Sequence, residues 1–460
     1  MRAFVDRLAE LETLQREYER DEASFVVVYG RRRVGKTTLL VEFLKEKRGL
    51  YFLSTEESEA QNRAAFKNLV ADFTDDTLLR NASVERWDDL FDRLTQGNSE
   101  RLVIVIDEFQ YLGKANAAFP SIFQRIWDTV LSKRNVMVVL CGSLISLMLA
   151  QTLSYESPLY GRRTAQIRMG QIPFSYYGEF FDDLSKRDLV ERYSVTGGVP
   201  KYIELFKDKA DVLDAIQANV LNRNSFLYDE ANFLLQKEVG EVGTYFSLIK
   251  AIAAGNRKLG AMASVLEVKQ TSLSKYLKTL VDLDILEREV PATELRPEKS
   301  KKGLYRIKDN YLLFWFRYVF PNLGLLESGH SDVVMSRIRA NFIDGHVGYV
   351  YESVCCEKVW EAAAKGRWPF TPAKVGRWWG IRDVEIDLVA VDASGEGIVF
   401  GECKFWKGPV GVNVLRDLER KAAVVPHKAE QIGYALFSIE GFTDELRSLA
   451  AGRADVLLME

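Results

Sequence analysis

The residues whose types and spacing could do chemistry fall in a few short stretches. Gly30-Arg31-Arg32-Arg33-Val34-Gly35-Lys36-Thr37 follows the pattern GxxxxGK[ST], directly after the apolar run 25–29 (FVVVY) and directly before a helical pattern. Glycines let the backbone turn tightly, so that its N–H groups point inward at an anion, and a helix N-terminus adds a positive dipole end. In that arrangement Lys36 neutralises the β- and γ-phosphates of a nucleotide, and the Thr37 hydroxyl ligates Mg²⁺, with Thr38 beside it. Residues 102–108 (LVIVIDE) are a buried-strand pattern ending in two acids. Such ends open on the ligand edge of a parallel sheet. Asp107 would hold Mg²⁺ through water, and Glu108 would polarise the attacking water. The next strand pattern ends at Cys141-Gly142-Ser143, where Ser143 could touch the γ-phosphate or water, or simply cap a helix.

A second constellation lies near the C-terminus, in 384–391 (VEIDLVAV) and 397–405 (GIVFGECKF). These read as two paired strands. Side chains on a strand alternate between faces, so Glu402 and Lys404 share a face and Cys403 takes the other. If the pairing sets Asp387 opposite them, two carboxylates and an ammonium form one site. Two carboxylates suit a hard cation such as Mg²⁺ or Mn²⁺, which polarises a phosphodiester and acidifies an attacking water while the lysine assists. Glu385 shares the strand face of Asp387 and is an alternative ligand. A surface salt bridge between Glu402 and Lys404 is the plainer reading of the same residues.

The elements that must position these groups follow from apolar periodicity. In the first stretch, to about residue 170, continuous apolar strands alternate with helices, which implies a parallel sheet covered on both faces. Residues 171–238 are helical, broken at Gly197-Gly198-Val199-Pro200. Residues 239–325 give three helices and two short strands. Leu273, Leu277 and Leu280 line one face of the third helix, with Ser272, Lys275, Lys278 and Thr279 on the others. This is the pattern of a helix-turn-helix recognition helix, with a wing hairpin over 286–307. Between 241 and 309 there are 13 Lys and Arg against 9 Asp and Glu, in a chain of net charge −3. Lys299, Lys301, Lys302, Arg306 and Lys308 would meet nucleic-acid phosphates there, and packing or protein contact is the alternative use of the module. The aromatic tract 312–319 (LLFWFRYV) packs between domains, and 326–460 is a second α/β pattern.

The 460 residues exceed one hydrophobic core. A composition of 47% hydrophobic and 28% charged residues is that of a soluble globular protein. Four cysteines without a CxxC pair and three histidines argue against a structural zinc site or a secreted disulfide framework. With no apolar signal core and no run of about 20 apolar residues, the expected setting is cytoplasmic, without a membrane. Self-association is left open.

At this point a resemblance becomes specific. The chain resembles the archaeal-type ATPase family, a branch of the AAA/STAND-like P-loop NTPases. The features are FVDR at 4–7, GRRRVGKT at 30–37, IDEFQYL at 106–112, LYGRR at 159–163, PFSYYGEF at 173–180 and TGGVPKYI at 196–203. The resemblance implies ATP as ligand, residues 4–7 near the adenine, and Arg162 or Arg163 as a γ-phosphate sensor or arginine finger. It also implies coupling of a helical lid (171–238) to nucleotide state through Gly197–Pro200 and a winged helix at 239–325. The spacing D-x14-ExK, at Asp387, Glu402 and Lys404, resembles the PD-(D/E)xK restriction-endonuclease-like fold. That likeness implies a metal-dependent nuclease domain at 326–460, with Glu352 on its first helix completing the metal site and DNA as the partner.

Overall fold

The structure is a computed structural model that describes residues 4–97, 99–381 and 384–460. It divides into two compact units, Met1–Gln171 and Ile172–Glu460.

The first unit is built on strands β1 (Ser24–Tyr29), β2 (Gly49–Leu53), β3 (Leu102–Asp107), β4 (Val136–Gly142) and β5 (Ala165–Arg168). They form one sheet in the order β2-β3-β4-β1-β5, and every neighbouring pair is parallel. β1, β3 and β4 are buried at every residue, which is why their sequences are unbroken apolar runs rather than alternating ones. The edge strands differ. β2 buries every second residue, and three of the four residues of β5 stay partly or fully exposed. On one face, helices Leu8–Tyr18 and Lys36–Leu44 close a core that includes Leu14, Val28, Leu40, Phe43, Val105 and Val139. A chain of tilted and edge-on rings, among them Phe66–Phe91, Phe91–Phe123 and Phe109–Phe119, belongs to the other face.

In the second unit, helices run from Phe174–Tyr177 to Glu230–Glu238. Gly198 sits hard against Ile172, where a Cβ would overlap backbone atoms. Three helices follow, Val242–Ala253, Leu259–Val265 and Gln270–Asp282, then an antiparallel pair, β6 (Leu286–Glu289) and β7 (Leu304–Ile307). The aromatic tract forms helix Asn310–Phe314 and a widened turn, Trp315–Val319. It is a buried post: Trp315 Nε1 donates to the Tyr228 carbonyl at 2.8 Å, and Tyr311 reaches the Leu227 carbonyl. Beyond helix Gly348–Ala364 lies a second five-stranded sheet of β8 (Pro372–Ile381), β9 (Val384–Asp392), β10 (Gly397–Lys404), β11 (Gln431–Ser438) and β12 (Val456–Met459). Its order is β12-β11-β10-β9-β8. β10, β11 and β12 pair in parallel, and β8 and β9 run antiparallel. Helix Val412–Ala422 covers its core through Val412, Leu415 and Leu418, and Ala292, from the segment after β6, joins that core. The apolar pattern does not mark β8. That strand begins at a proline, shifts register three times against β9 and lies at the sheet edge, so it carries no clean period of two.

His346 titrates against this packing. It is fully buried among Phe314, Tyr318 and Phe342, and its Nε2 donates to the Ser194 carbonyl at 2.8 Å. Burial, then the Arg317 guanidinium, push its pKa down to about 3. The unfolded chain takes up this proton near pH 6.5 and the folded chain refuses it, so the contribution is present above about 6.5 and is lost as pH falls toward 3. The expected slope is up to about 1.4 kcal/mol per pH unit. Denaturant unfolding of the wild type and His346→Gln between pH 7.5 and 5 should show that slope difference.

Candidate functional site

β1 delivers the chain into the glycine-rich loop, and three further features hold that loop. Gly30 backs onto Met169, whose carbonyl oxygen a Cβ would overlap. Gly35 is left-handed at φ 99° and opens helix Lys36–Leu44 without a side-chain cap, leaving the first helical N–H groups available to an anion. Arg7, itself left-handed at φ 79°, donates to the carbonyls of Val34 at 3.1 Å and Gly170 at 2.7 Å. Arg7 therefore braces the loop. Lys36 is buried, and its Nζ donates to the carbonyls of Gly30 (2.8 Å) and Arg31 (2.9 Å). Arg32 donates to the Tyr111 hydroxyl at 2.7 Å and lies 3.4 Å from Ser143 Oγ. Arg33 adopts φ 71°, and Thr38 is exposed on the helix.

The acids at the end of β3 meet the loop. Thr37 Oγ1 donates to Asp107 Oδ2 at 3.1 Å, and the Tyr51 hydroxyl from β2 donates to the same oxygen. Burial, then Asp107, push the Tyr51 phenol well above its ordinary range, so it remains a donor at neutral pH. Glu108 stands at φ 52°, a strained conformation for a non-glycine residue and one that concentrates at functional positions. Its Oε2 accepts from Ser143 Oγ at 2.8 Å, from Ser143 N at 3.2 Å and from Gln110 Nε2. Sequence reasoning passes over Tyr51 and Gln110. Gln110 is legible as a polar residue two positions beyond the acid, whereas Tyr51 needs the register that pairs Leu53 with Asp107.

The structure does not bring Arg162 and Arg163 to this loop. Arg162 makes a two-pronged bond to Asp128, at 2.8 Å on each prong, and Arg163 lies over the Tyr160 ring. The adjacent Thr164 bonds Phe25, at the start of β1. Both arginines thus sit at the opposite edge of the sheet, roughly 16 Å down the strand from the loop at ~3.3 Å per residue. Within one chain this places them away from the γ-phosphate position, and the arginine-finger alternative is the one it leaves open.

In the second unit, β9 and β10 pair with Gly401 opposite Leu388, so the next step of the same register sets Glu402 against Asp387. Asp387 Oδ2 accepts from the Cys403 N–H at 3.0 Å. Lys404 Nζ lies 2.7 Å from Glu402 Oε1. Burial, then Glu402, push the Asp387 carboxyl up. The missed partner is Lys421, from helix Val412–Ala422, at 3.1 and 3.2 Å from the two oxygens of Glu402. Glu352, on helix Gly348–Ala364, lies near enough to Asp387 for that carboxylate's charge to act on it. Its carboxylate lies 3.2 Å from Arg377, and burial raises its pKa to about 7. Glu385 faces outward and pairs with the same arginine. Among the described residues, no group of three or more His, Cys, Asp or Glu side chains gathers as a metal site. Two carboxylates still suit Mg²⁺, which keeps waters and takes substrate phosphates for its other positions.

The basic hairpin is corrected at one residue. Arg306 is buried and paired with Glu287 and Glu289, both at 2.9 Å. Lys308 pairs with Asp284 at 2.7 Å and Lys302 with Glu294 at 3.4 Å. The loop after β6 is bound to β8: Ala292 N donates to the Arg377 carbonyl at 2.9 Å, and Trp378 Nε1 reaches Thr293 at 3.1 Å. Thr271, Ser272, Ser274, Lys275 and Lys278 on helix Gln270–Asp282 are exposed, as are Lys299 and Lys301.

A parallel sheet with a glycine-rich anion loop at the end of β1, and two acids at the end of β3, defines a nucleotide-binding ATPase. A family model described as an ATPase domain predominantly from Archaea matches residues 4–206. One described as archaeal and bacterial proteins of unknown function matches residues 315–421. An uncharacterized protein of Methanocaldococcus jannaschii is 37% identical over 425 residues, covering 92% of each chain. The chain belongs to this archaeal-type ATPase family. Among solved structures, a Walker-type ATPase of Pyrococcus abyssi matches 68% of this chain and 96% of its own at 19% identity, with a TM-score of 0.49. The Aeropyrum pernix ORC2 protein matches 73% of this chain and 95% of its own at 14% identity, with a TM-score of 0.43. Among the described residues, no helix is long and apolar enough to cross a membrane.

The clamp on Glu108 is testable through its floor. A Cβ on Gly142 would overlap the Gln110 amide and Met148. Gly142→Ala should keep ATP affinity while lowering turnover by roughly tenfold or more, the scale of a displaced general base. Phosphate release and nucleotide titration on the same preparation separate the two.

Proposed function

We propose that this ATPase acts on DNA, with nucleotide state controlling a winged helix (239–325) and a metal-dependent nuclease-like domain (326–460). A helical lid (171–238) lies between them and the ATPase domain (1–170) in the chain. In this reading, Gly30–Thr38 hold ATP and Lys36 turns from the loop carbonyls to the β- and γ-phosphates. Thr37 and Asp107 hold Mg²⁺, and Glu108, steadied by Gln110 and Ser143, orients the attacking water. Mg²⁺ would supply charge neutralisation at the phosphates.

The observation that carries the nuclease reading is the convergence of Asp387, Glu402 and Lys404 where β9 and β10 pair. Asp387 and Glu402 would hold the divalent cation, which would polarise the phosphodiester. Lys404 would help position or activate the attacking water. The exposed polar face of helix Gln270–Asp282, with Lys299 and Lys301, supports DNA as the partner. Glu352, ion-paired with Arg377 here, would turn to the cation and complete the metal site.

One observation favours a second reading, a STAND-like nucleotide switch whose C-terminal domain binds without cutting. The hairpin loop is built into the C-terminal core through Ala292, so the middle module has a packing duty of its own.

Lys36→Ala should abolish ATP binding, and Glu108→Gln should bind ATP without turning it over. Unchanged ATP affinity in Lys36→Ala would overturn the loop assignment. With Mg²⁺ or Mn²⁺, the wild type should cleave DNA, and Asp387→Ala or Glu402→Ala should abolish cleavage while leaving DNA-free ATP turnover intact. No cleavage of single-stranded, duplex or branched DNA would select the switch. Neutralising Lys275, Lys278, Lys299 and Lys301 should flatten the salt dependence of DNA binding, by about 0.9 in slope for each phosphate that no longer meets a cation. An unchanged slope would turn this face toward protein.

A further inference from the structure

Glu402 is a buried carboxylate with an ammonium on each side. Lys404, two residues along the same strand, lies 2.7 Å from Oε1. Lys421 arrives from the last turn of another element and spans both oxygens, at 3.1 and 3.2 Å. With Asp387, the group holds two carboxylates and two ammoniums and is formally neutral. A hard divalent cation is held by net negative charge and by free carboxylate lone pairs. With both lysines in place the site has no net negative charge, and most of the Glu402 lone pairs are taken.

The two lysines differ in where they can go. Lys404 is fixed by its strand to the face of Glu402. Lys421 has a second carboxylate within reach, one helical turn back: Asp417 Oδ2 lies 3.5 Å from the same Nζ. Asp417 is more exposed than Glu402, with 38% of its side chain accessible against 5%. Lys421 thus bridges Glu402 and Asp417, and a rotation of its stem releases Glu402 while keeping the i,i+4 pair with Asp417, which is geometrically easy on a helix. The move frees Oε2 of Glu402 and leaves the site with a net negative charge beside Asp387.

We infer that Lys421 gates the Asp387–Glu402 site, occupying Glu402 when no divalent cation is bound and passing to Asp417 when one enters. The inference rests on reading this site as metal-binding, and it names the regulation of that site. Lys421 is a positioning residue here: it sets whether the carboxylates can accept a cation. Cation affinity then depends on a surface aspartate that touches no metal.

The test titrates Mn²⁺ into the full chain without nucleotide, by calorimetry and by water-proton relaxation, with Asp387→Asn as the reference that defines the site. Lys421→Met keeps the aliphatic stem and removes the charge, and it should tighten Asp387-dependent Mn²⁺ binding by roughly tenfold or more. Asp417→Asn removes the acceptor for Lys421 and should weaken the same binding by about threefold or more. Thermal melting checks that each variant is folded. Binding in Lys421→Met where the wild type shows none also supports the gate. Equal, Asp387-dependent affinity in wild type and Lys421→Met overturns the gate while the metal site stands. Unchanged affinity in Asp417→Asn overturns the transfer to Asp417. Binding that is insensitive to Asp387→Asn, or no binding in any variant, overturns the metal-site reading and the gate with it.

Discussion

A carboxylate at the end of a buried strand must be met by donors, since ionised oxygens in an apolar interior are costly unless hydrogen-bonded or paired. Both units face this constraint and answer it differently. In the first, Asp107 and Glu108 are met by neutral donors: the hydroxyls of Thr37, Tyr51 and Ser143, the amide of Gln110 and the backbone N–H groups of Glu108 and Ser143. Their negative charge is solvated without being cancelled. In the second, Glu402 is met by two ammonium groups, and the charge is cancelled on the spot. The same residue type at the same kind of position is thus met by neutral donors in one unit and by ammonium groups in the other.

That difference orders the rest of the molecule. Neutral donors must come from several elements, so the first site draws on β2, the start of helix Lys36–Leu44, the segment after β3 and the turn after β4. The parallel sheet is what makes this feasible, because it brings the carboxyl ends of its strands to one edge. The second site needs fewer elements. One strand and one helix supply both lysines, and the antiparallel neighbour supplies Asp387.

Much of this is readable in the residues. The loop and the acids at 107 and 108 are legible because a continuous apolar strand, a fixed glycine spacing and a helical pattern occur in immediate succession. Asp387, Glu402 and Lys404 are legible through strand alternation. What escapes depends on register or on distance along the chain. Tyr51 reaches Asp107 only because β2 pairs with β3 as it does, and Lys421 reaches Glu402 from nineteen residues away across a helix. Arg162 and Arg163 illustrate the reverse case. A pair of adjacent arginines carries no information about which edge of the sheet it occupies, and the Asp128 bond and the Thr164 contact with Phe25 put it at the far one. Arg306 misleads for a related reason, since net charge along a hairpin does not reveal which cations are consumed by Glu287 and Glu289.

The docking of Ala292 and Thr293 on β8 has a bearing on modularity. β8 is an outermost strand, and edges of that kind template the pairing of other chains unless something shields them. Here the shield is supplied by a loop more than thirty residues upstream of the domain it protects. A chain beginning at residue 326 would carry every strand of the C-terminal sheet yet expose the rim that Ala292 covers, together with the indole of Trp378. The border drawn by strand and helix content and the border of cohesive folding therefore fall in different places. Shuffling this domain onto another partner in the course of evolution would require the hairpin to travel with it.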